Sequence, residues 1–319
     1  MPTNTLPLPP LELRHRVGPT DPSDYDNPDG TPILETLGIP LEAYDAVFDF
    51  GCGCGRQARQ LLQQTPAPRR YVGIDLQKRL IEWCQQNLTS VESRFQFVHH
   101  DVYSPWFAPD NSLQLAQRFP VEDAAFSLIV ATSVFTHLTK SQAEYYLSEV
   151  ARILTPQGIA YTTWLFFDRA SFSFSHVQCL YTSEVDFGQA VLFDREWFLE
   201  TVKHLGLSVR MTVPPQIPGH QWAVLLVKRT PGAVDDFPLG MDQAEWVCGA
   251  TLKPMAEIAL SQDMAAKHGR VREVRVTLDR PAQPALYGAL AELDEIKRSR
   301  SWILARALTS PVRMLRRLF

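Results

Sequence analysis

Cysteine is scarce in this chain. There are 5 among 319 residues, an odd number spread from Cys52 to Cys248. That excludes a disulfide framework and fits reduced thiols. Nor does the spacing build a metal site. Cys52 and Cys54 stand as C-x-C, with no second Cys or His pair at zinc-ligand spacing nearby. No metal is expected, and the two cysteines read as small side chains fitting a tight loop. Long apolar runs are missing too. No stretch of about 18 apolar residues occurs. The opening, MPTNTLPLPPLELRHRVG, has no apolar run of signal-peptide length. These absences predict a cytoplasmic protein. An excess of one charge is also lacking. The net charge is −4, which gives no whole-chain case for nucleic acid, and none is expected as a partner. What remains, 45% hydrophobic and 21% charged residues, is the composition of a chain that builds a globular core.

Most of the order lies in the middle. Residues 1–45 are a lead-in rich in loop formers (GPTDPSDYDNPDGTP), with a short helix expected at PILETLG. From Ala46 onward, strand, turn and helix repeat. AVFDF, YVGIDL, FQFVHHD, FSLIVATSVF and GIAYTTWLFF read as strands. RQARQLLQQ, QKRLIEWCQQNL and TKSQAEYYLSEVARIL read as the helices between them. In the last of these, Ala143, Tyr146, Leu147, Val150, Ile153 and Leu154 form one stripe, and Pro156 and Gly158 are expected to stop it. A helix over DREWFLETVKHLG follows, with Asp194 as N-cap and Gly206 past its end. Then come LSVRMTV and QWAVLLVKR, whose connection PPQIPGH is too short for a parallel crossover. The expected fold is α/β: a doubly wound, mostly parallel seven-stranded sheet with an antiparallel terminal hairpin. It spans 46–229. Residues 230–290 read as a linker and a small mixed segment, and 291–319 as a basic helical tail.

The stretch VFDFGCGCGRQARQLL carries the chemistry. A strand that runs into G-x-G-x-G ahead of a helix lets a ligand approach bare backbone. The crevice beyond the carboxyl ends of parallel strands is where such folds bind ligands. Gly53, Gly55 and Ala58 also satisfy the dinucleotide spacing. The carboxylates argue against a dinucleotide. Asp49, two residues before the first glycine, suits a sulfonium and an ammonium group better than a pyrophosphate. Asp75 ends the second strand, 26 residues on, where it can accept from both ribose hydroxyls. Asp101 ends the third, where it can accept from an adenine amino group. Three carboxylates ending three successive strands match S-adenosyl-L-methionine (SAM).

On DFGCGCGR, GIDL, FVHHDV, FSLIVATSVFTHL and RILTPQG, the chain from about Val47 to Arg229 resembles the class I, seven-stranded SAM-dependent methyltransferases. GCGCGR, LIEWC, SVFTHL and the opening LPPLELRHRVG are similar to those of bacterial methyltransferases encoded with cell-surface polysaccharide enzymes. The resemblance implies that Asp49, Gly51 and Gly53 line the methionine end of the cofactor. It implies that Asp75, with Leu76 beside it, holds the ribose. Asp101 and Val102 would frame the adenine, and Thr132 and Ser133 would form the floor. Ser127 stands where such families usually have Asp, at a point read as the far end of the strand and without functional consequence.

Methyl transfer mainly needs alignment. For an alcohol acceptor, His137 in VFTHL is the best-placed base. His176 and His220 are weaker candidates, and His99 and His100 read as structural. Trp106 and Phe107, on the long loop after the third strand, either stack on a sugar face or on adenine or anchor the loop to the core. Lys297 to Phe319 holds seven Lys or Arg and no Asp or Glu, interleaved with apolar residues. This pattern suits an anionic membrane surface; docking on protein is the competing reading. The expected function is O-methylation of a sugar in a glycan or glycolipid precursor. The alternatives are a small-molecule acceptor, quinone or polyketide-like, and a non-catalytic SAM-binding module in a glycan-assembly complex.

Overall fold

The structure is a computed structural model that describes residues 6–104, 107–112, 114–168, 178–181, 190–215, 221–237 and 253–254. Trp106, His176, His220 and the tail from Lys297 lie outside the described residues.

Five parallel strands build the centre of the sheet. They are β1 (Ala46–Phe50), β2 (Arg70–Asp75), β3 (Phe95–His99), β4 (Phe126–Ala131) and β5 (Leu154–Phe167). Their order in space is β3-β2-β1-β4-β5. β1, β2 and β4 are buried along nearly their whole length, as strands covered on both faces are. α1 (Leu11–Arg14) lies ahead of the strands in the lead-in, and α2 (Arg56–Gln63), α3 (Lys78–Cys84) and α4 (Lys140–Ile153) run between them. α3 relaxes into a π-helical turn over Gln85–Thr89. Side-chain parity sorts the core into two halves. Phe48 and Phe50 of β1 pack with Tyr146, Leu147 and Val150 of α4. Val47 packs on the opposite face with Leu61 of α2 and with Ile81 and Cys84 of α3. The predicted stripe of α4 is buried along its whole length, each large apolar side chain adding roughly 1.5–3 kcal/mol.

Further on, β6 (Cys179–Tyr181) and β7 (Val191–Asp194) precede α5 (Arg195–His204), and β8 (Leu207–Val213) and β9 (Trp222–Lys228) follow. β8 and β9 form the expected antiparallel pair, and β9 lies antiparallel on β5 from Ile159 to Trp164. Beyond Trp164, β5 takes β7 as a parallel partner. Asp194 caps α5 by accepting from Trp197 N at 3.1 Å, and Gly206 takes the left-handed φ of 70° after its end.

The seven expected strands are all present, and β6, β7 and the two-residue β10 (Lys253–Pro254) are additions. A second difference concerns 230–237, read as the start of a linker. There Asp235 accepts from Val209 N at 2.8 Å, and Phe237 packs against Phe166 and Trp222. Apolar burial of that one ring extends the core past the expected boundary.

Candidate functional site

A cavity of about 410 Å³ opens beyond the carboxyl ends of β1 to β4, next to the switch point between β1 and β4. Gly51 and Gly53 line it, with φ of 81° and 56°, values that disfavour any side chain. Space forbids one as well. A Cβ on Gly51 would stand 2.4 Å from Val134 Cγ2, and one on Gly53 2.5 Å from Val17 Cγ1. The intervening cysteines are buried free thiols that hold the loop. Cys52 and Cys84 each direct Sγ at Gly53 O, both at 3.7 Å, and Cys54 Sγ lies 3.5 Å from Tyr25 Oη. Burial pushes the Cys52 and Cys84 thiols well up, so both stay protonated. Among the described residues no group of His, Cys, Asp or Glu is arranged to hold a metal ion.

Asp75 lines the cavity at the tip of β2. Its carboxylate accepts from Gln77 N at 2.8 Å and Gly53 N at 3.0 Å. Burial raises this carboxyl, and those two amides act against it. Leu76 and Val102 line the cavity beside it. Thr132 and Ser133, just past β4, line it too, and Thr132 Oγ1 accepts from Gln57 Nε2 at 3.0 Å. Ser133 is held at φ 59° although it carries a side chain. Three hydrogen bonds fix it there: Ser133 N to Thr163 Oγ1 (2.7 Å), Thr163 Oγ1 to Gln221 Oε1 (2.5 Å) and Gln221 Nε2 to Ser133 Oγ (2.7 Å). Such a left-handed residue costs on the order of 1 kcal/mol or more and marks an over-determined loop.

Two of the three expected carboxylates lie off the cavity. Asp49 shares the α2/α3 face with Val47, because its neighbours Phe48 and Phe50 point the other way. It is 2% exposed and accepts from Tyr71 Oη at 2.7 Å. Its cross-strand partner on β2 is Gly73. A Cβ there would lie 2.9 Å from Tyr71 Oη and from Cys52 Cβ, so the bare glycine is what lets the tyrosine reach across. Asp101 is turned into its own loop. Its Oδ1 accepts from Ser112 N at 3.0 Å, and its carbonyl accepts from Ser112 Oγ at 2.6 Å. A long loop returning on itself needs those acceptors. Ser127 joins Ala46 N and O across the start of β1, at the far end of the sheet.

His137 ends a single 3₁₀ turn (Phe135–His137) and lines the cavity, its ring 5.0 Å from that of Phe107 at 66°. Phe107 thus belongs to the cavity wall.

His100, Tyr146 and the lead-in are among the lining groups that were not expected. His100 lies 2.8 Å from Tyr146 Oη, and both line the cavity from the α4 side. Burial pushes His100 down to about 4, so the ring is neutral. Even-numbered residues of β3 face α4, so alternation carried to residue 100 would have found it. The lead-in is the third group. Arg16 and Val17 form part of the wall, and nothing local in the sequence signals that.

The donor set fits SAM. Bare backbone at Gly51 and Gly53 admits a ligand, and the Asp75 carboxylate suits vicinal hydroxyls.

Residues 47–158 match a family model described as a methyltransferase domain. Among solved structures the chain is similar to a protein of Pyrococcus horikoshii OT3, at 16% identity over 61% of this chain and 88% of that one, with a TM-score of 0.43. A TehB-like SAM-dependent methyltransferase of Corynebacterium glutamicum shares 18% identity over 61% and 85%, with a TM-score of 0.38. The 1,6-didemethyltoxoflavin-N1-methyltransferase of Burkholderia thailandensis, bound to 1,6-didemethyltoxoflavin and S-adenosylhomocysteine, shares 18% over 61% and 74%, with a TM-score of 0.41.

Proposed function

We propose that this protein, a SAM-dependent methyltransferase, methylates a sugar hydroxyl of a glycan or glycolipid precursor. The observation that carries the reading is His137, which opens into the same cavity as Gly51, Gly53 and Asp75. SAM supplies a methyl group on a sulfonium, and the chain supplies the rest. Asp75 orients the cofactor through its hydroxyls. A ring nitrogen of His137 would take the proton of the acceptor hydroxyl as its oxygen displaces the thioether sulfur from the methyl carbon. Phe107, whose ring meets that of His137, offers an aromatic face for the apolar side of a sugar. Recruitment by the basic tail to an anionic membrane belongs to the same proposal.

One observation favours a second reading. Phe50, Leu76, Val102, Phe107, Val134 and Leu138 make much of the wall apolar, which suits a planar quinone or polyketide-like acceptor.

The test is methyl transfer by the purified protein to nucleotide sugars and lipid-linked glycans, run beside hydroxylated quinones and aromatic polyketides. Methylated sugar is expected. Product from the planar acceptors alone sinks the sugar reading and supports the second. No product with any acceptor, alongside intact S-adenosylhomocysteine binding, points to a non-catalytic binding module. With the true acceptor, His137→Ala should lower turnover roughly 10²–10⁴-fold and leave S-adenosylhomocysteine affinity near normal. Unchanged turnover would remove His137 from the mechanism.

A further inference from the structure

The arginines of the lead-in and of the helices it meets are not equivalent. Arg14 donates Nε to Pro9 O at 3.0 Å and a second hydrogen bond to Thr20 O. Arg59 of α2 donates to the carbonyls of Leu6, Pro7 and Tyr25 at 3.1, 3.1 and 2.8 Å, and pairs with Asp26. Arg79 of α3 holds both oxygens of Glu12, at 2.5 and 3.1 Å. Each guanidinium fastens the lead-in to itself or to the domain.

Arg16 makes one such bond, from Nη1 to the neutral amide oxygen Gln77 Oε1 at 3.2 Å. Among the described residues no carboxylate is paired with it, and it is the one Lys or Arg on the cavity wall. Its position is fixed on both sides. Val17, the next residue, stands against Gly53. Gln77 lies two residues past Asp75, and Asp75 accepts from Gly53 N. A guanidinium has five donors in a planar fork that matches a carboxylate. Among the described residues most of the fork has no acceptor, and Asp75 is the one carboxylate that lines the cavity.

We infer that Arg16 is an anion subsite, and that its ligand is the carboxylate of the cofactor's amino-acid end. This rests on the reading of the cavity as a SAM site. A ligand whose ribose is held at Asp75 has a short three-carbon arm leading to its carboxylate. That arm would pass over the glycine loop, where Val17 and Gly53 meet. Without a cation nearby, the carboxylate would sit unpaired in a cavity that already holds Asp75. The lead-in is therefore more than packing. It carries the charge that separates an intact cofactor from a fragment lacking the amino acid.

Calorimetry on the full chain tests this with two probes, S-adenosylhomocysteine and 5′-methylthioadenosine, which keeps the nucleoside and thioether but has no amino-acid end. Arg16→Met should weaken S-adenosylhomocysteine binding roughly ten- to a hundredfold, the range of a charge-assisted hydrogen bond. Arg16→Lys should fall between it and the wild type. 5′-Methylthioadenosine should bind all three proteins within about twofold. Unchanged S-adenosylhomocysteine affinity in Arg16→Met overturns the assignment and moves the cation to some other anion, such as an acidic acceptor. Equal loss for both probes overturns it too, and makes Arg16 a wall-packing residue. If the wild type binds neither probe, the SAM reading fails together with the inference.

Discussion

A carboxyl with a phenol for its partner and little water nearby has a titration that can be worked out. Burial pushes Asp49 up to about 7 from 3.8, against the lowering effects of the Tyr71 hydroxyl and the Arg56 charge. The folded protein then binds this proton more tightly than the unfolded chain does. Between pH 4 and 7 folding takes up protons at Asp49, so its contribution to stability, full below pH 4, is lost as pH rises. His100, lowered by burial, acts with the opposite sign from about pH 4 to 6.5, so total stability alone is ambiguous. The difference between Asp49→Asn and wild type isolates the carboxyl. In urea titrations the variant should gain on the wild type as pH rises through this window, by at most roughly 1.4 kcal/mol per pH unit, and level off above it. A flat difference would mean that Asp49 is ionised throughout. The place of Asp49 at a strand tip is legible in the sequence. Its partner is not, because Tyr71 reaches it only across a gap left by Gly73 on the neighbouring strand. Asp75 shows the opposite case: its strand-tip position sufficed to place it in the cavity wall. Asp101 was expected to end the third strand, but it lies two residues past His99, and the demand of a returning loop for acceptors decided where the carboxylate went.

The start of α4 is the element on which the His137 side of the cavity depends. Thr139 Oγ1 accepts from Gln142 N at 3.2 Å, and Gln142 Oε1 accepts from Thr139 N at 2.9 Å, a reciprocal cap. Gln142 also donates Nε2 to Leu115 O at 2.6 Å, which ties the long loop to the helix. Thr139→Ala should therefore cost about 1 kcal/mol in urea unfolding, whereas Thr139→Ser should stay within a few tenths. An alanine variant as stable as wild type would show that tertiary packing alone holds this end. Thr139 and Gln142 at a spacing of three are readable in TKSQAEYY. The start of β5 is less so. Pro156 and Gly158 look like a stop, yet the ladder to β4 resumes around them, passing from Phe126 opposite Leu154 to Leu128 opposite Ile159. The intervening residues bulge out, which periodicity does not encode. β6 and β7 are three and four residues long, too short for a pattern to emerge.

For the molecule as a whole, charge is unevenly divided, with seven cations and no carboxylate from Lys297 to Phe319. If that tail binds an anionic bilayer, at about 1 kcal/mol per basic residue near the surface, full-length protein should sediment with anionic vesicles at low salt. A chain truncated after Glu295 should not, and added salt should release the full-length protein. Equal behaviour of the two chains would make the tail a docking element on protein. At the other end, the lead-in completes the cavity through contacts that span much of the sequence. Arg59 meets Leu6 across 53 positions and Arg79 meets Glu12 across 67. These loops are no longer than the one that β1 and β4 close, where Val47 meets Leu128 across 81 positions. By loop length the lead-in has no reason to close after the sheet, so a folding chain should gain its core and its ligand affinity in one kinetic event rather than two.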